Sequence, residues 1–377
     1  IIKHIQSSSN GEQKNLMVQI FKHKLFFYSI SIFFIYFSMT KYWIYMNKKE
    51  RFNLFTKGKE IDRTLFRPIV MHFAARYAGH TYGELASDYR VLVESNMRVM
   101  EDFDTDMVGL ISDPYRETSA FGAPVEFLPE AVPRCNVKIV STYEDVQVLR
   151  NPDIYKAERT LDRIKGAEYY QQLLKGEVPV IGWIEGPLAE AADLAGVSEM
   201  LMHLMTDPDL SNILLDKCVV TAKDFAKAQL EAGCDIIGMG DAICSQIDPT
   251  TYANFVKDRQ KEIVDFIHDQ DGLVKLHICG DITHLLAEIK DLGVDILDLD
   301  WQVDLEEAYN IVGPDVIRCG NINPVEIQNS SYDEVKDMSG NLVNKEKHRK
   351  YILSAGCEIT VNTPPENLKA MRKASYI

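Results

Sequence analysis

Three side chains in the second half of this 377-residue chain could together hold a soft metal ion. His277 and Cys279 are two residues apart, so in a β-strand their side chains would point to the same side. Gly280 follows them and allows the backbone to turn, and Cys357, preceded by Gly356, is the third candidate. One imidazole nitrogen and two thiolates are a common zinc ligand set, and zinc in a catalytic site keeps an exchangeable position.

The same residues also have a simpler interpretation. A His-x-Cys pair occurs often by chance, and most free cysteines only fill core space. The chain has seven cysteines, an odd number scattered through a long acidic sequence, which argues against a disulfide framework and favours a reducing, cytoplasmic compartment. The zinc site is therefore a hypothesis whose support must come from where the fold places these side chains.

From Met46 onward, short apolar segments alternate with longer helical ones, a pattern that predicts a parallel sheet with helices between its strands. The predicted strands are residues 68–72, 106–111, 179–184, 235–239, 273–277, 295–299, 316–319 and 351–355. The predicted helices include 81–101, 198–231, 249–270, 282–293 and 305–312. Residues 112–177 are less regular and are predicted to contain an insertion. This pattern favours a single (β/α)8 TIM barrel over residues 46–377.

Active sites of such barrels form on the loops that follow the C-terminal ends of the strands. Polar residues stand at these predicted ends, on strands three to eight in order: Glu185, Asp241, His277 with Cys279, Asp300, Asn321 and Cys357. The eighth strand neighbours the first rather than the fifth, so Cys357 would meet His277 and Cys279 across the narrow barrel mouth. Glu185 and Asp300 are candidates for a fourth ligand, or for a partner that orients a ligand.

The charge balance excludes one class of partner. The chain has 56 acidic and 41 basic residues and a formal net charge of -15. Such a surface repels a phosphate backbone, and no basic stripe with interleaved aromatic residues offsets it. Nucleic-acid binding is therefore not expected.

Residues 1–45 differ in composition from the rest of the chain. Glu12 is their single acidic residue, and residues 25–39 (LFFYSISIFFIYFSM) are apolar and aromatic. This stretch is shorter than a membrane span by about 3–5 residues and lacks an obvious signal-peptide cleavage site. Because Met46 looks like the natural start of a soluble protein, we favour translated upstream sequence or an expression artefact. A membrane anchor and a packed extra helix are the alternatives.

Several motifs resemble those of the uroporphyrinogen decarboxylase superfamily. They are FAARY at 73–77, ISD at 111–113, GWIEGP at 182–187, GNINP at 320–324, and GC at 356–357 with TPPEN at 363–367. The resemblance covers nearly all of residues 46–377 and implies a TIM barrel.

The decarboxylase branch of that superfamily uses no metal. It holds its tetrapyrrole with an arginine-rich N-terminal segment, an aspartate, and Tyr, Ser and His side chains. Arg76 and Asp113 match this pattern, whereas His72 replaces the first arginine, and the motif around Asp241 lacks the serine hydroxyl. Cys357 stands where the decarboxylases have histidine. A tetra-anionic porphyrinogen needs several cationic side chains, so a single matching arginine counts against decarboxylation.

The other branch contains the corrinoid methyltransferases, such as the methylcobamide:coenzyme M enzymes. Their zinc motif resembles His277-x-Cys279 with a later cysteine, as at Cys357. This resemblance implies a zinc-dependent enzyme that moves a methyl group between a methylcobamide and a zinc-activated thiol or a methylated small substrate. The chain has no Asp-x-His-x-x-Gly corrinoid motif, so the corrinoid is expected to arrive on a partner protein or as free cofactor.

Other candidate site residues have two interpretations each. Arg76 is predicted to clamp an anionic substrate group or to form a structural salt bridge. Asp113, Asp241 and Asp300 are predicted to orient or protonate substrate groups, or to cap helices. Asn321, in the GNINP motif, is a candidate for substrate binding. A metal-free decarboxylase and a non-catalytic tetrapyrrole-binding barrel remain the alternative functions, and neither explains the three-ligand set.

Overall fold

A computed structural model describes residues 46–376 of the chain. Residues 1–45 lie outside the described residues. The three interpretations of that segment, as upstream sequence or an artefact, a membrane anchor or an extra helix, therefore stay predictions. Among the described residues, no helix combines the length and the apolar character needed to cross a membrane. Residues 48–376 belong to one compact unit.

Eight parallel strands form the main sheet, in the order β1-β10-β9-β8-β7-β6-β5-β2. They are β1 (Leu65–Phe66), β2 (Val108–Gly109), β5 (Val180–Glu185), β6 (Ile236–Gly240), β7 (Leu273–His277), β8 (Ile296–Leu299), β9 (Ile317–Ile322) and β10 (Tyr351–Ala355). Just before β2, the Asp106 amide donates to the Phe66 carbonyl on β1 at 2.8 Å, which brings the two ends of the sheet together. The predicted (β/α)8 TIM barrel is confirmed.

Helices precede, connect and follow the strands of the sheet. They are α1 (Lys48–Thr56), α2 (His72–Ala78), α3 (Tyr82–Ser87), α4 (Tyr89–Phe103), α5 (Arg116–Ala120), α6 (Tyr143–Val148), α7 (Glu158–Leu174), α8 (Pro187–Ala195), α9 (Val197–Thr206), α10 (Pro208–Glu231), α11 (Pro249–Tyr252), α12 (Asp258–His268), α13 (Leu286–Ile289), α14 (Leu305–Val312), α15 (Pro324–Asn329), α16 (Tyr332–Glu346) and α17 (Pro365–Ala374). The irregular segment 112–177 contains α5, α6, α7 and an antiparallel hairpin of β3 (Glu126–Leu128) and β4 (Ala131–Arg134).

The prediction for the first strand is wrong. The strand is Leu65–Phe66 rather than 68–72, and His72 begins α2 instead of ending a strand. The Arg67 amide still donates to the Leu353 carbonyl on β10, but Pro68 has no N–H with which to continue the ladder. The other seven predicted strands overlap observed ones.

Two long predicted helices are divided. Residues 81–101 break at Asp88 and residues 198–231 break at Asp207, because each aspartate side chain caps the helix that follows it. The predicted helix 249–270 contains a π-helical turn at Ala253–Lys257, and 282–293 consists of short helical pieces. Only 305–312 has the predicted bounds.

The inward-facing side chains change character along the barrel axis. An apolar cluster fills the N-terminal end: Phe52, Phe55, Leu65, Met107, Ile181, Ile236, Ile296, Ile317, Cys319 and Ile352, with Leu273 packed against it. Because side chains alternate along a strand, residues two and four positions further along face inward as well. On β7 and β8 these positions hold first Lys275 and Asp298, and then His277 and Asp300. The interior is therefore apolar at one end and polar where the strands end.

Candidate metal centre

His277, Cys279 and Cys357 converge at the C-terminal end of the barrel. Nε2 of His277 lies 3.1 Å from Cys279 Sγ and 3.9 Å from Cys357 Sγ, and the two sulfurs are 3.9 Å apart. The three ligand atoms all lie within 4.8 Å of one another. His277 is buried, whereas both cysteines are partly exposed. The structure therefore brings together the three residues that the sequence assigned to a metal.

Two glycines allow the loops to approach this closely. Gly280 has φ of +89°, a conformation that favours glycine, and it turns the chain just after Cys279. A β-carbon on Gly356 would overlap the backbone of Trp301. Glycine at this position therefore lets the loop after β10 pack against the loop after β8, which places Cys357 over the end of β7.

The observed distances fit a tetrahedral zinc site. With usual Zn–S and Zn–N bond lengths, tetrahedral angles put two sulfurs about 3.8 Å apart and a nitrogen about 3.5 Å from each sulfur. The sulfurs here are 3.9 Å apart, and the nitrogen–sulfur distances of 3.1 and 3.9 Å bracket the ideal value. The donor set and its spacing therefore suit zinc without rearrangement of the strands.

The cluster also favours a thiolate. The hydrogen bond from the Cys279 thiol, together with His277, lowers the pKa of Cys357 to about 4. The bond with Cys357, burial, and the nearby Asp300 and Glu185 carboxylates instead raise the pKa of Cys279 above its ordinary value. Burial disfavours the charged form of His277, yet Asp298 and Cys357 outweigh it and raise its pKa to about 9. These shifts favour the thiolate form at Cys357, which is the form that binds a metal.

The two candidates for a fourth ligand differ in their free atoms. Asp300 accepts hydrogen bonds from the amides of Gly280 and Trp301, one to each oxygen, both at 2.7 Å. Glu185 is the last residue of β5 rather than the first after it, and its Oε1 accepts from Arg116 at 2.7 Å and Trp183 at 3.1 Å. Its Oε2 accepts no hydrogen bond from any residue in 46–376. Asp300 therefore anchors a loop, while Glu185 keeps one oxygen available.

Glu185 is also on the level of the metal cluster. It pairs in register with Gly240 on β6, and Gly240 pairs with His277 on β7. A β-carbon built on Gly240 would stand 3.3 Å from Glu185 Oε2, so this oxygen lies over a strand that has no side chain there. The indole of Trp183 lies beside the same space, with its ring centroid 6.1 Å from that of His277. Between Glu185 and His277, β6 therefore contributes only backbone.

Two predicted catalytic aspartates are held by protein groups. Asp113 accepts from both terminal nitrogens of Arg159 at 2.7 and 2.8 Å, and from Ser112 Oγ at 2.6 Å. Burial opposes ionisation of Asp113, but Arg159 outweighs it and keeps the pKa below its ordinary value. Asp241 accepts from the Ala189 amide at 2.7 Å and from Gln260 at 2.8 Å, and burial raises its pKa to about 6. Their predicted catalytic roles stay predictions.

The remaining predicted residues lie farther out. Arg76 is exposed in the last turn of α2, where it donates to Asn362 Oδ1 at 2.7 Å. Asn321 lies within β9 rather than after it, and its amide donates to the Val303 carbonyl at 2.7 Å. No carboxylate in residues 46–376 pairs with Arg76, so its guanidinium is available to an anionic group, and its predicted role in substrate binding stays a prediction.

Sequence reasoning missed Asp298 and Lys275, which touch the cluster from below. Asp298 Oδ2 lies 3.1 Å from His277 Nδ1 and also accepts a hydrogen bond from the ammonium group of Lys275. A signal was present, because each is a charged residue inside an otherwise apolar strand, where an unpaired charge is costly. Two such residues on neighbouring predicted strands indicate a buried pair.

Comparisons with known proteins agree with this architecture. The family model "Uroporphyrinogen decarboxylase (URO-D)" matches residues 47–376. The uroporphyrinogen decarboxylase of Prochlorococcus marinus subsp. pastoris is 33% identical over 204 residues, which are 52% of this chain and 58% of that protein. The methylcobamide:CoM methyltransferase MtaA of Methanosarcina barkeri is 27% identical over 228 residues, 58% of this chain and 64% of that one. In both alignments, this chain spans less than two thirds of its relative.

One solved structure shares the whole barrel. A methyltransferase from Methanosarcina mazei superposes with a TM-score of 0.80 over 88% of this chain and 98% of that chain, at 20% sequence identity. At this identity the likeness shows the fold alone, whereas the family model covers almost all of the described residues. The chain belongs to the uroporphyrinogen decarboxylase (URO-D) family.

Proposed function

We propose that this protein is a zinc-dependent methyltransferase that moves a methyl group between a corrinoid and a thiol or a methylated small molecule. The observation that carries the proposal is the convergence of His277 Nε2 with the sulfurs of Cys279 and Cys357, at separations that fit zinc. A methylcobamide:CoM methyltransferase is among the relatives of this chain, which supports the same branch of the family.

The donor atoms divide the work at this site. His277, Cys279 and Cys357 would hold the ion, and the bound zinc would supply the positive charge that removes the proton from a substrate thiol. Two thiolate donors reduce the net charge, so a substrate sulfur would stay electron-rich. The partly exposed cysteine side of the cluster is where such a substrate would approach.

Glu185 is our candidate for the exchangeable fourth ligand. Arg116 and Trp183 fix its Oε1, so Oε2 remains the oxygen that could face the ion. A carboxylate held in this way could be the fourth protein ligand of the ion. Arg76, exposed and without a carboxylate partner in the described residues, is our candidate for binding an anionic end of the substrate.

The corrinoid would come from outside the chain. The sequence has no Asp-x-His-x-x-Gly motif, so a separate corrinoid protein or free cofactor would present the cobalt at the barrel mouth. A methylated donor could also bind here and pass its methyl group to the corrinoid, which is the reverse direction of the same transfer.

Metal analysis with a methyl-transfer assay tests the proposal. Purified protein should contain about one zinc per chain and demethylate methylcobalamin in the presence of a small thiol. The Cys279→Ala variant should lose zinc and at least about 100-fold in rate, because loss of a ligand should cost more than loss of an outer partner of a ligand. The matched control is Cys135→Ser, since Cys135 contacts the Val137 carbonyl in the irregular segment.

Two other outcomes would replace the proposal. A metal-free protein that releases CO₂ from uroporphyrinogen would be a decarboxylase like the Prochlorococcus marinus relative. A protein that binds a corrinoid tightly, without turnover and without zinc, would be a tetrapyrrole-binding barrel.

A further inference from the structure

We propose that Asp298 is the positioning residue of the metal centre. Asp298 fixes the ring of His277 through Nδ1, so that Nε2 points at the two cysteine sulfurs, and Lys275 holds Asp298 in place. This inference rests on the proposed function for the identity of the metal. The arrangement of the three side chains can be tested without it.

The hydrogen bonds assign the tautomer of His277. An ionised carboxylate can only accept, so the 3.1 Å contact between Nδ1 and Asp298 Oδ2 requires that Nδ1 carry the proton. In the neutral ring, Nε2 then has the free lone pair. That atom is the one 3.1 Å from Cys279 Sγ. A carboxylate on the far nitrogen is how proteins usually fix the orientation of a metal-binding histidine.

The strand register makes this contact specific. Asp298 and His277 are paired residues on the neighbouring parallel strands β8 and β7, and both side chains face the barrel interior. Asp298 is 3% exposed and His277 is 6% exposed. A histidine at the end of β7 therefore meets the carboxylate without spanning a loop, and the strands themselves set the direction of the ring.

Lys275 explains why a carboxylate can stay at this depth. It is 1% exposed, lies two residues before His277 on the same strand, and donates to the same oxygen of Asp298 that faces the ring. A buried carboxylate without a cation would be costly, so Lys275 compensates the charge of Asp298. The hydrogen bond from the ammonium group also restrains that oxygen.

The alternative is that Lys275 and Asp298 form a structural ion pair that His277 only happens to touch. Both interpretations predict that removing Asp298 lowers stability. Only the positioning role predicts that metal binding depends on the carboxylate.

The test compares Asp298→Asn with Asp113→Asn. Asp113 is also buried and ion-paired, but its bonds go to Arg159, Ser112 and the Tyr115 amide rather than to a metal ligand. Zinc affinity would be measured by competition with a chromophoric chelator, and ligand geometry by the absorption spectrum of the cobalt(II)-substituted protein. We expect Asp298→Asn to weaken zinc binding by roughly 10–100-fold and to alter the cobalt spectrum. Asp113→Asn should leave both within about threefold of the unmodified protein.

A second pair of measurements covers the case in which Asp298→Asn fails to fold. The double variant Asp298→Asn with Lys275→Met removes the cation together with the anion and should fold better, but it should still bind zinc weakly. In the unmodified metal-free protein, at a pH where the ring of His277 is neutral, nitrogen-15 NMR of the histidines should show its single proton on Nδ1.

Three results would overturn the inference: a neutral His277 ring with its proton on Nε2, a metal held through Nδ1, or an Asp298→Asn variant with unchanged affinity for zinc. If the unmodified protein holds no zinc, the proposed function fails. The NMR measurement on the metal-free protein still decides the positioning role in that case.

Discussion

The C-terminal end of the barrel carries two groups of buried polar side chains that use their hydrogen-bonding atoms differently. In the cysteine site (His277, Cys279 and Cys357), three ligand atoms face one point. In the carboxylate site (Asp113, Arg116, Arg159 and Glu185), guanidinium and carboxylate groups bond to each other at 2.7 to 2.8 Å. Burial and charge are shared by both groups, so they do not by themselves mark chemistry. The two groups differ in whether their nitrogen, sulfur or oxygen atoms converge on a common point or bond to each other.

Two buried aspartates show the same difference on a smaller scale. Asp113 and Asp298 each have a cation partner, and each keeps a pKa below the ordinary value in spite of burial, because the partners Arg159 and Lys275 outweigh it. Asp113 also accepts hydrogen bonds from the Ser112 hydroxyl and the Tyr115 amide, whereas Asp298 contacts His277 of the cysteine site. The second contact of a buried, ion-paired carboxylate therefore decides whether that carboxylate can position a ligand of the metal site.

The largest effect that would sharpen this comparison is expected from Arg159→Met. Arg159 is 7% exposed, and its loss would leave Asp113 buried without its cation. Breaking a buried pair in this way should lower the free energy of unfolding by about 3–5 kcal/mol, measured by urea denaturation. The zinc content should stay at the unmodified level, since no bond of Arg159 reaches a candidate ligand.

The opposite result would break the comparison. Loss of zinc from Arg159→Met at a temperature where the protein is still folded would mean that the pair of Asp113 and Arg159, and not only Glu185, acts on the cysteine site. An Arg159→Lys control tests geometry, because lysine keeps the charge but cannot make the two parallel bonds to Asp113.

Much of the barrel was predictable because a buried parallel strand leaves a strong local signal. Seven strands showed as short apolar runs between helical segments, and each overlaps an observed strand. The first strand was misplaced because it is only two residues long. The longer apolar segment around Pro68 was assigned as the strand instead. The predicted helices break at Asp88 and Asp207 because a single aspartate side chain caps the helix that follows. Hydrophobic periodicity does not reveal such a cap.

The convergence of the candidate ligands was predictable for a different reason. His277 and Cys279 share a strand end, and the barrel brings Cys357 to the same rim, so topology supplied the contact. Asp298 and Lys275 needed a pairing register that hydrophobic patterns do not contain. The contacts of Arg116 with Glu185 and of Arg159 with Asp113 could not be predicted from the sequence. Both arginines lie on helices of the irregular segment, and only tertiary packing brings them to their partners.

A smaller effect is expected where the carboxylate site carries excess negative charge. Asp193, on α8, is partly buried near Glu117 and Arg116, and burial with the Glu117 charge raises its pKa to about 8. The folded protein thus keeps a proton between about pH 4 and pH 8 that the unfolded chain releases. This contribution to stability is complete below about pH 4, falls steadily as the pH rises, and is lost above about pH 8.

Asp193→Asn should therefore change the pH dependence of stability. The advantage of the variant should grow from pH 5 to pH 8, and near pH 8 it should melt at least roughly 2–4 °C higher, because the ionisation penalty then exceeds about 1 kcal/mol. Thermal unfolding from pH 5 to pH 9 measures it. Equal melting-temperature differences at all pH values would show that the carboxyl is ionised in the folded state.

The smallest effect is expected for an ion pair of similar length on the surface. Lys261 and Asp265 are 2.5 Å apart, one turn apart on α12, with side chains 43% and 56% exposed. Water screens this pair, and alanine is a good helix former, so Lys261→Ala should change the free energy of unfolding by no more than about 0.5 kcal/mol. Urea denaturation at low and high salt measures the change. A loss comparable to that of Arg159→Met would mean that ion-pair distance, rather than burial, governs stability in this barrel, and the contrast between the two sites would then need another cause.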